Sequence, residues 1–359
     1  MTLFTFNLIR LLILSALTTS FSLFWAPCLI KILRKNKFWK KRKQLKTITN
    51  TEATVLKSLR KEGTSKTPRG GGLLIWISVL LIISLSFLIS KIQAIWWFEK
   101  VNFLSRSETW LPLFALVVGS LIGFIDDFLT IQDKGKYVRG GMSFTKRMIA
   151  IILIGLIGGW WFYAKLERTT IHIPLVGSFP EGINLFIGYW YIPLFVVVML
   201  ASWATGVVDG LDGLSGGVFA SIFGAFTIIS LSQGKADLAT FCAVLSGSLL
   251  AFLWFNIPPA KFYMGETGIM GLTSVMTVVA FLTDSVVVLP IIGGALIMEV
   301  GSIIIQLLSK KFRGKKVWKC TPIHHHFEAL GWPKHSITMR FWIISVVFAI
   351  LGTAIKLAK

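Results

Sequence analysis

The sequence predicts an all-α integral membrane protein of about ten transmembrane helices. Three observations carry this. Of 359 residues, 54% are hydrophobic and 15% are charged, whereas a soluble domain has about a quarter charged. Mean hydropathy is +0.74. Apolar runs of near-bilayer length recur along the whole chain. The balance excludes an ordinary soluble enzyme, a disordered chain and a coiled coil. Barrel-strand alternation is absent, so an outer-membrane barrel is excluded too. Cys28, Cys242 and Cys320 lie far apart with no CxxC pair, so neither disulfides nor structural zinc are expected.

The spans are expected near 8–32, 71–91, 110–129, 147–165, 189–208, 214–233, 239–257, 268–283, 286–308 and 339–357, in one polytopic domain, 1–359. The first run leads into a basic cluster with no small-residue cleavage site, so it reads as a retained span rather than a signal peptide. The stretch Thr169–Gly188 holds β-branched residues, Pro174 and Pro180, and is expected to form a small hairpin outside the membrane. Trp96, Trp97, Trp110, Trp160, Trp161, Trp190 and Tyr191 fall near the predicted outer ends of spans, as an aromatic belt does. No internal repeat is visible, which gives an inverted-repeat transporter little support.

Charge sets the orientation. The 31–70 loop holds 14 Lys and Arg residues against two acids. Together with Lys261 and the loops after spans three and nine, it carries 28 of the 37 basic residues. The opposite loops carry six: Lys91, Lys100, Arg106, Lys165, Arg168 and Lys235. The positive-inside rule puts the basic set in the cytoplasm and both termini outside. A net charge of +21 on a soluble protein would suggest nucleic acid. Here the charge is a topology signal that also attracts anionic lipid and an anionic substrate, and no nucleic-acid partner is expected.

Four sites place polar groups where they are costly. Asp126 and Asp127 end the third span in GFIDDF. A carboxylate at mid-bilayer costs roughly 2.5–3.5 kcal/mol, less near an interface. Two adjacent carboxylates also repel, and a bound cation offsets both penalties. The plain alternative is two solvated acids at a helix end. In VVDGLDGLSGG, Asp209 and Asp212 are three apart, on one side if the segment is helical. Gly210, Gly213, Gly216 and Gly217 let the backbone turn tightly and a phosphate approach its N–H groups, or else serve close helix packing. In WFNIPPAKFYMGETG, Asn256, Tyr263 and Glu266 follow on the same side, and Tyr263 offers an aromatic face to a nucleobase or an anchor at the interface. In TPIHHHFEALGW, three consecutive histidines have poor zinc spacing but suit phosphate. Carboxylates, histidines and lysines gathered on one face suit Mg²⁺-assisted phosphoryl transfer.

These motifs, in this order from about Lys61 to Trp342, resemble the phospho-N-acetylmuramoyl-pentapeptide-transferase family, a branch of the polyprenyl-phosphate N-acetylhexosamine-1-phosphate transferases. PIHHHFEALGW with the downstream RFW at Arg340–Trp342 carries the resemblance furthest, and DGLDGL is specific for the superfamily. The resemblance implies a multi-pass enzyme of the bacterial inner membrane, often a homodimer. It would transfer the phospho-sugar of UDP-N-acetylmuramoyl-pentapeptide to undecaprenyl phosphate, making lipid I and UMP with Mg²⁺. It implies catalytic roles for Asp126, Asp127, Asp209 and His324, and metal binding by Glu266 with Asp126 and Asp127. It implies substrate contacts for Lys66, Lys134, Gly210, Leu211, Asp212, Asn256, Tyr263, Glu299, His325 and His326.

Departures from the family pattern are Glu266 for its metal-binding aspartate, Thr130 for a lysine after the DD pair, and Trp203 and Gly206 for asparagines before DGLDG. Either Lys61 or Lys66 matches the lysine of the first loop. Two rivals follow: a sister enzyme using UDP-GlcNAc, which the histidine motif disfavours, and a non-catalytic transporter, which would release no UMP. A covalent aspartyl intermediate and direct attack by the lipid phosphate are both compatible with these residues.

Overall fold

A computed structural model describes residues 2–39, 66–92, 100–106, 108–132, 141–177 and 182–358. Lys61, Lys134, Trp96, Trp97 and Pro180 lie outside them. The helices are α1 (Leu3–Lys35), α2 (Gly72–Ile89), α3 (Trp110–Gln132), α4 (Phe144–Ala164), α5 (Tyr191–Ala204), α6 (Leu214–Ser232), α7 (Ala236–Asn256), α8 (Gly265–Leu282), α9 (Leu289–Ile292), α10 (Gly294–Arg313), α11 (Ile323–Ala329) and α12 (Lys334–Leu357). Among the described residues, nine helical segments are long and apolar enough to span a membrane. The expected hairpin is present: β1 (Thr170–Ile173) pairs antiparallel with β2 (Ile183–Phe186), Thr170 opposite Phe186.

The expected span at 286–308 is the one that differs. It breaks at Gly293 into the single turn of α9 and the longer α10. Helix α10 carries Glu299, Ser302, Gln306 and Ser309 on its buried side, while Ile304, Ile305, Leu308 and Phe312 are exposed. A soluble helix is patterned the other way. Exposed isoleucine and buried glutamate fit a lipid-facing exterior around a polar interior.

Helix α8 is the central element, buried along almost its whole length. It packs along α3 through small residues. A Cβ on Gly119 would stand 2.7 Å from the Met270 carbonyl, and one on Gly123 would overlap the Glu266 carbonyl. Gly119 and Gly123 are four apart and line one face, so the two backbones meet with no side chain between them. The N-terminus of α2 joins at Gly72, which lies against Gly268. This three-helix contact sets the Gly123–Asp127 turn of α3 beside the first turn of α8, and the acids gather there.

Candidate active site

Asp126 and Asp127 are almost fully buried, 1% and 0% exposed. The Oδ2 atom of Asp127 accepts the Thr267 N–H at 3.0 Å and the Thr267 hydroxyl at 2.8 Å. Thr267 lies in the first turn of α8, where unpaired N–H groups and the helix dipole favour a carboxylate. Gly265, at φ +73°, leads into that turn, and a Cβ on it would overlap Asp127 Oδ2. Asp126 Oδ1 accepts the Met142 N–H at 2.6 Å.

Two arginines join the acids. Arg147, in the first turn of α4, donates from Nη1 to Glu266 Oε1 at 2.9 Å, and its Nε lies 3.3 Å from Asp126 Oδ1. Arg69 Nη1 lies 3.6 Å from Asp127 Oδ1. The backbone delivers Arg69: the Tyr263 N–H donates to the Pro68 carbonyl and the Gly71 N–H to the Tyr263 carbonyl, each at 2.8 Å. Burial opposes charge on Arg69, but Asp127, Asp209, Glu266 and Asp126 outweigh it and hold the guanidinium above its ordinary value.

The DGLDGL segment closes the other side. Asp209 accepts the Ser215 hydroxyl at 2.9 Å and the Gly265 N–H at 3.2 Å. Burial pushes its carboxyl above the usual range, while Ser215, Arg69 and Gly265 pull it back. Asp212 Oδ2 accepts the Ala260 N–H at 3.2 Å. Asn256 accepts the Gly213 N–H at 2.9 Å and donates to the Phe262 carbonyl at 2.7 Å, so both of its amide atoms tie loops together. The Leu211 side chain is buried in the core, and Tyr263 is half-buried.

The three histidines take three directions. His324 and Glu299 are both fully buried, Nδ1 to Oε2 at 2.8 Å. Its Nε2 edge packs on Gly210, where a Cβ would overlap it. His325 pairs with Glu328 at 2.9 Å. His326 Nδ1 accepts the Lys319 N–H at 3.3 Å. Burial opposes charge on Glu328, but the His325 hydrogen bond and Lys334 outweigh it and hold the carboxyl below the usual range.

The structure thus unites Asp126, Asp127, Asp209 and Glu266, and sets His324 with Glu299 against Gly210. Lys66 is exposed on the segment leading to Arg69, and Lys134 lies outside the described residues. Sequence reasoning missed the roles of Arg69 and Arg147. One was hidden in PRGGG, and the other was counted only as inside-facing charge. An arginine in a helix's first turn opposes the dipole, which signals a nearby acid. Arg147 also bears on the Thr130 departure: it places a cation on Asp126 without the lysine. Trp203 packs on Phe144, ring centroids 5.5 Å apart, and Gly206 admits Ile269 at close range.

Would these residues suit a divalent cation? Among the described residues, no three His, Cys, Asp or Glu groups form a ready ligand cage. The donor chemistry nevertheless fits. Asp127 Oδ1 is buried with no hydrogen-bond donor. Four carboxylates against two guanidiniums leave a formal charge of −2. Carboxylate oxygens are the ligands of a hard cation.

Comparison with known proteins agrees with this arrangement. The family described as Glycosyl transferase family 4 matches residues 109–284. A phospho-N-acetylmuramoyl-pentapeptide-transferase of Anoxybacillus flavithermus is 34% identical over 83% of this chain and 88% of its own. That of Geobacillus sp. strain WCH70 is 35% identical with the same coverage. That of Bacillus velezensis is 34% identical over 92% of this chain and 93% of its own. On identity sustained over most of both chains, the chain belongs to the phospho-N-acetylmuramoyl-pentapeptide-transferase family.

Proposed function

We propose that this protein transfers phospho-N-acetylmuramoyl-pentapeptide from its UDP carrier to undecaprenyl phosphate, releasing UMP and forming lipid I. One phosphoanhydride bond breaks and one forms, so the protein's task is to place two anionic phosphates together and stabilise the charge that shifts between them. The observation that carries the reading is the cluster of buried Asp126 and Asp127 with half-buried Asp209 and Glu266, with Arg69 and Arg147 set into it, in a chain whose relatives bear that activity's name.

Arg69 and Arg147 bind and orient phosphate oxygens. Asp127, whose Oδ1 accepts no hydrogen bond and faces Arg69 at 3.6 Å, orients the attacking lipid phosphate and receives its proton if it carries one. Asp209 holds the Gly265 turn in place. Asp126, Asp127 and Glu266 would hold Mg²⁺, which as a Lewis acid offsets charge on the phosphates. In this reading the acid cluster faces the cytoplasm of a bacterial inner membrane and both termini lie outside. The polyprenyl tail stays in the bilayer while its phosphate reaches the acids.

The test is UMP release by detergent-purified protein given undecaprenyl phosphate and Mg²⁺, with UDP-N-acetylmuramoyl-pentapeptide or UDP-GlcNAc as donor. Turnover with the first donor alone is expected. Turnover with only the second would move the protein to the sister branch, and no UMP from either would favour a transporter. Asp126→Asn, Asp127→Asn and Asp209→Asn should each abolish turnover in folded protein; near-normal rates in all three would refute the site.

A further inference from the structure

Glu299 sits on the buried side of α10, fully buried, with His324 as its hydrogen-bond partner. Neighbouring residues on the same side of α10 secure the segment leading to that histidine. Gln306 accepts the Val317 and Trp318 N–H groups at 2.9 and 3.1 Å and donates to the Trp318 carbonyl at 3.0 Å. Ser309 donates to the Lys315 carbonyl at 3.0 Å. The polar side of α10 therefore carries α11 and brings His324 up to Gly210. The ring's outer nitrogen, Nε2, is buried there with no hydrogen-bond partner among the described residues. A buried polar atom left unpaired is costly, and a ligand group is one of the few things that justifies it.

We propose that Glu299 is a positioning residue. It accepts the Nδ1 proton of His324, fixes the tautomer and pose of the ring, and so leaves Nε2 as an acceptor for a hydroxyl or amide N–H of the donor hexosamine. A carboxylate behind an imidazole sets which nitrogen keeps the proton, and the opposite nitrogen is then defined for its task. An anionic phosphate oxygen offers no hydrogen to such an acceptor; a sugar hydroxyl or acetamido group does. This assignment rests on the transferase reading above.

The experiment compares Glu299→Gln, whose amide oxygen still accepts from Nδ1, with Glu299→Leu, which has no acceptor. Steady-state kinetics with UDP-N-acetylmuramoyl-pentapeptide are read beside the imidazole ¹⁵N spectrum of the histidine-labelled protein. Glu299→Leu is expected to lower kcat by about 10- to 100-fold and to lose the signal of a ring protonated at Nδ1; Glu299→Gln keeps that signal and stays within about fivefold of the parent. If Glu299→Leu does not fold, Glu299→Asp, which withdraws the same acceptor by one methylene, is expected to lower kcat and shift the same signal. Full activity without an acceptor would overturn the proposal, as would equal losses in both variants with the Nδ1 signal intact. An inactive parent protein would overturn the transferase reading instead, and the spectrum would still report on the dyad.

Discussion

Arg147 and Glu266 form an ion pair at 2.9 Å, and the same guanidinium lies 3.3 Å from Asp126. One cation therefore links the end of α3 to the start of α8, on residues that sequence resemblance marks as metal ligands. Arg147→Met should leave two largely buried carboxylates facing each other. We expect a loss of about 1–3 kcal/mol in the absence of divalent cation, discounted from the buried-pair range because Glu266 is partly exposed. We also expect Mg²⁺ to raise the unfolding temperature more in the variant than in the parent, since the cation then supplies the missing charge. Thermal unfolding in detergent, with and without Mg²⁺, measures both. An unchanged midpoint and an unchanged response to Mg²⁺ would show that the bridge carries no weight.

Asp209 yields a prediction about pH. Burial raises its carboxyl, and the Ser215 hydroxyl is the first influence opposing that rise. Ser215→Ala removes it, so the carboxyl titrates at higher pH than in the parent. If turnover needs Asp209 ionised, the acid limb of kcat/KM moves to higher pH, and activity is lost first on the acidic side. A pH profile of the variant decides; an acid limb that stays put while the rate drops at every pH would mean that Ser215 acts only through packing.

Much of this was legible in the residues, and what was not has physical causes. The apolar runs needed no tertiary information, because a bilayer constrains each helix separately. The acids in GFIDDF and DGLDGL stood out because carboxylates are costly there. Pro290 and the Gly293–Gly294 pair mark the break at Gly293, but the long apolar run around them hides it. Packing accounts for the second glycine: a Cβ on Gly294 would overlap the Phe348 ring. Arg69 and Arg147 were hidden because basic residues are abundant on that face, and only the fold shows which two meet carboxylates.

The glycines supply a matched comparison. Gly265→Ala puts a methyl group on Asp127 Oδ2 at a left-handed φ of +73°, so both strain and a clash follow. Gly224, inside α6, has no described atom beyond its own stretch of helix backbone within 4 Å of the place its Cβ would take. We expect Gly265→Ala to lose stability by about 1–3 kcal/mol and most of its turnover, and Gly224→Ala to be neutral or to gain up to about 1 kcal/mol from helix propensity. Unfolding midpoints and UMP release on the two proteins check this. Equal behaviour would mean that the Gly265 turn is free to rearrange.

Asn256 tests whether the DGLDGL segment is held or merely adjacent. Its oxygen takes the Gly213 N–H and its nitrogen gives a hydrogen to the Phe262 carbonyl, so one buried amide joins the turn before α6 to the strap before α8. Asn256→Ala abandons both partners in a buried place, at a cost of about 1–3 kcal/mol. Asn256→Asp keeps the oxygen that meets Gly213 but points a second oxygen at the Phe262 carbonyl, so near neutral pH the conservative-looking change should not recover what alanine loses. Both variants should also raise KM for the UDP donor, because Asp212 and the Gly213 turn lose their fixed distance from Ala260 and Tyr263. Unfolding midpoints beside donor KM decide: a parent-like Asn256→Asp would show that only the Gly213 bond matters, and the two loops would then be coupled elsewhere.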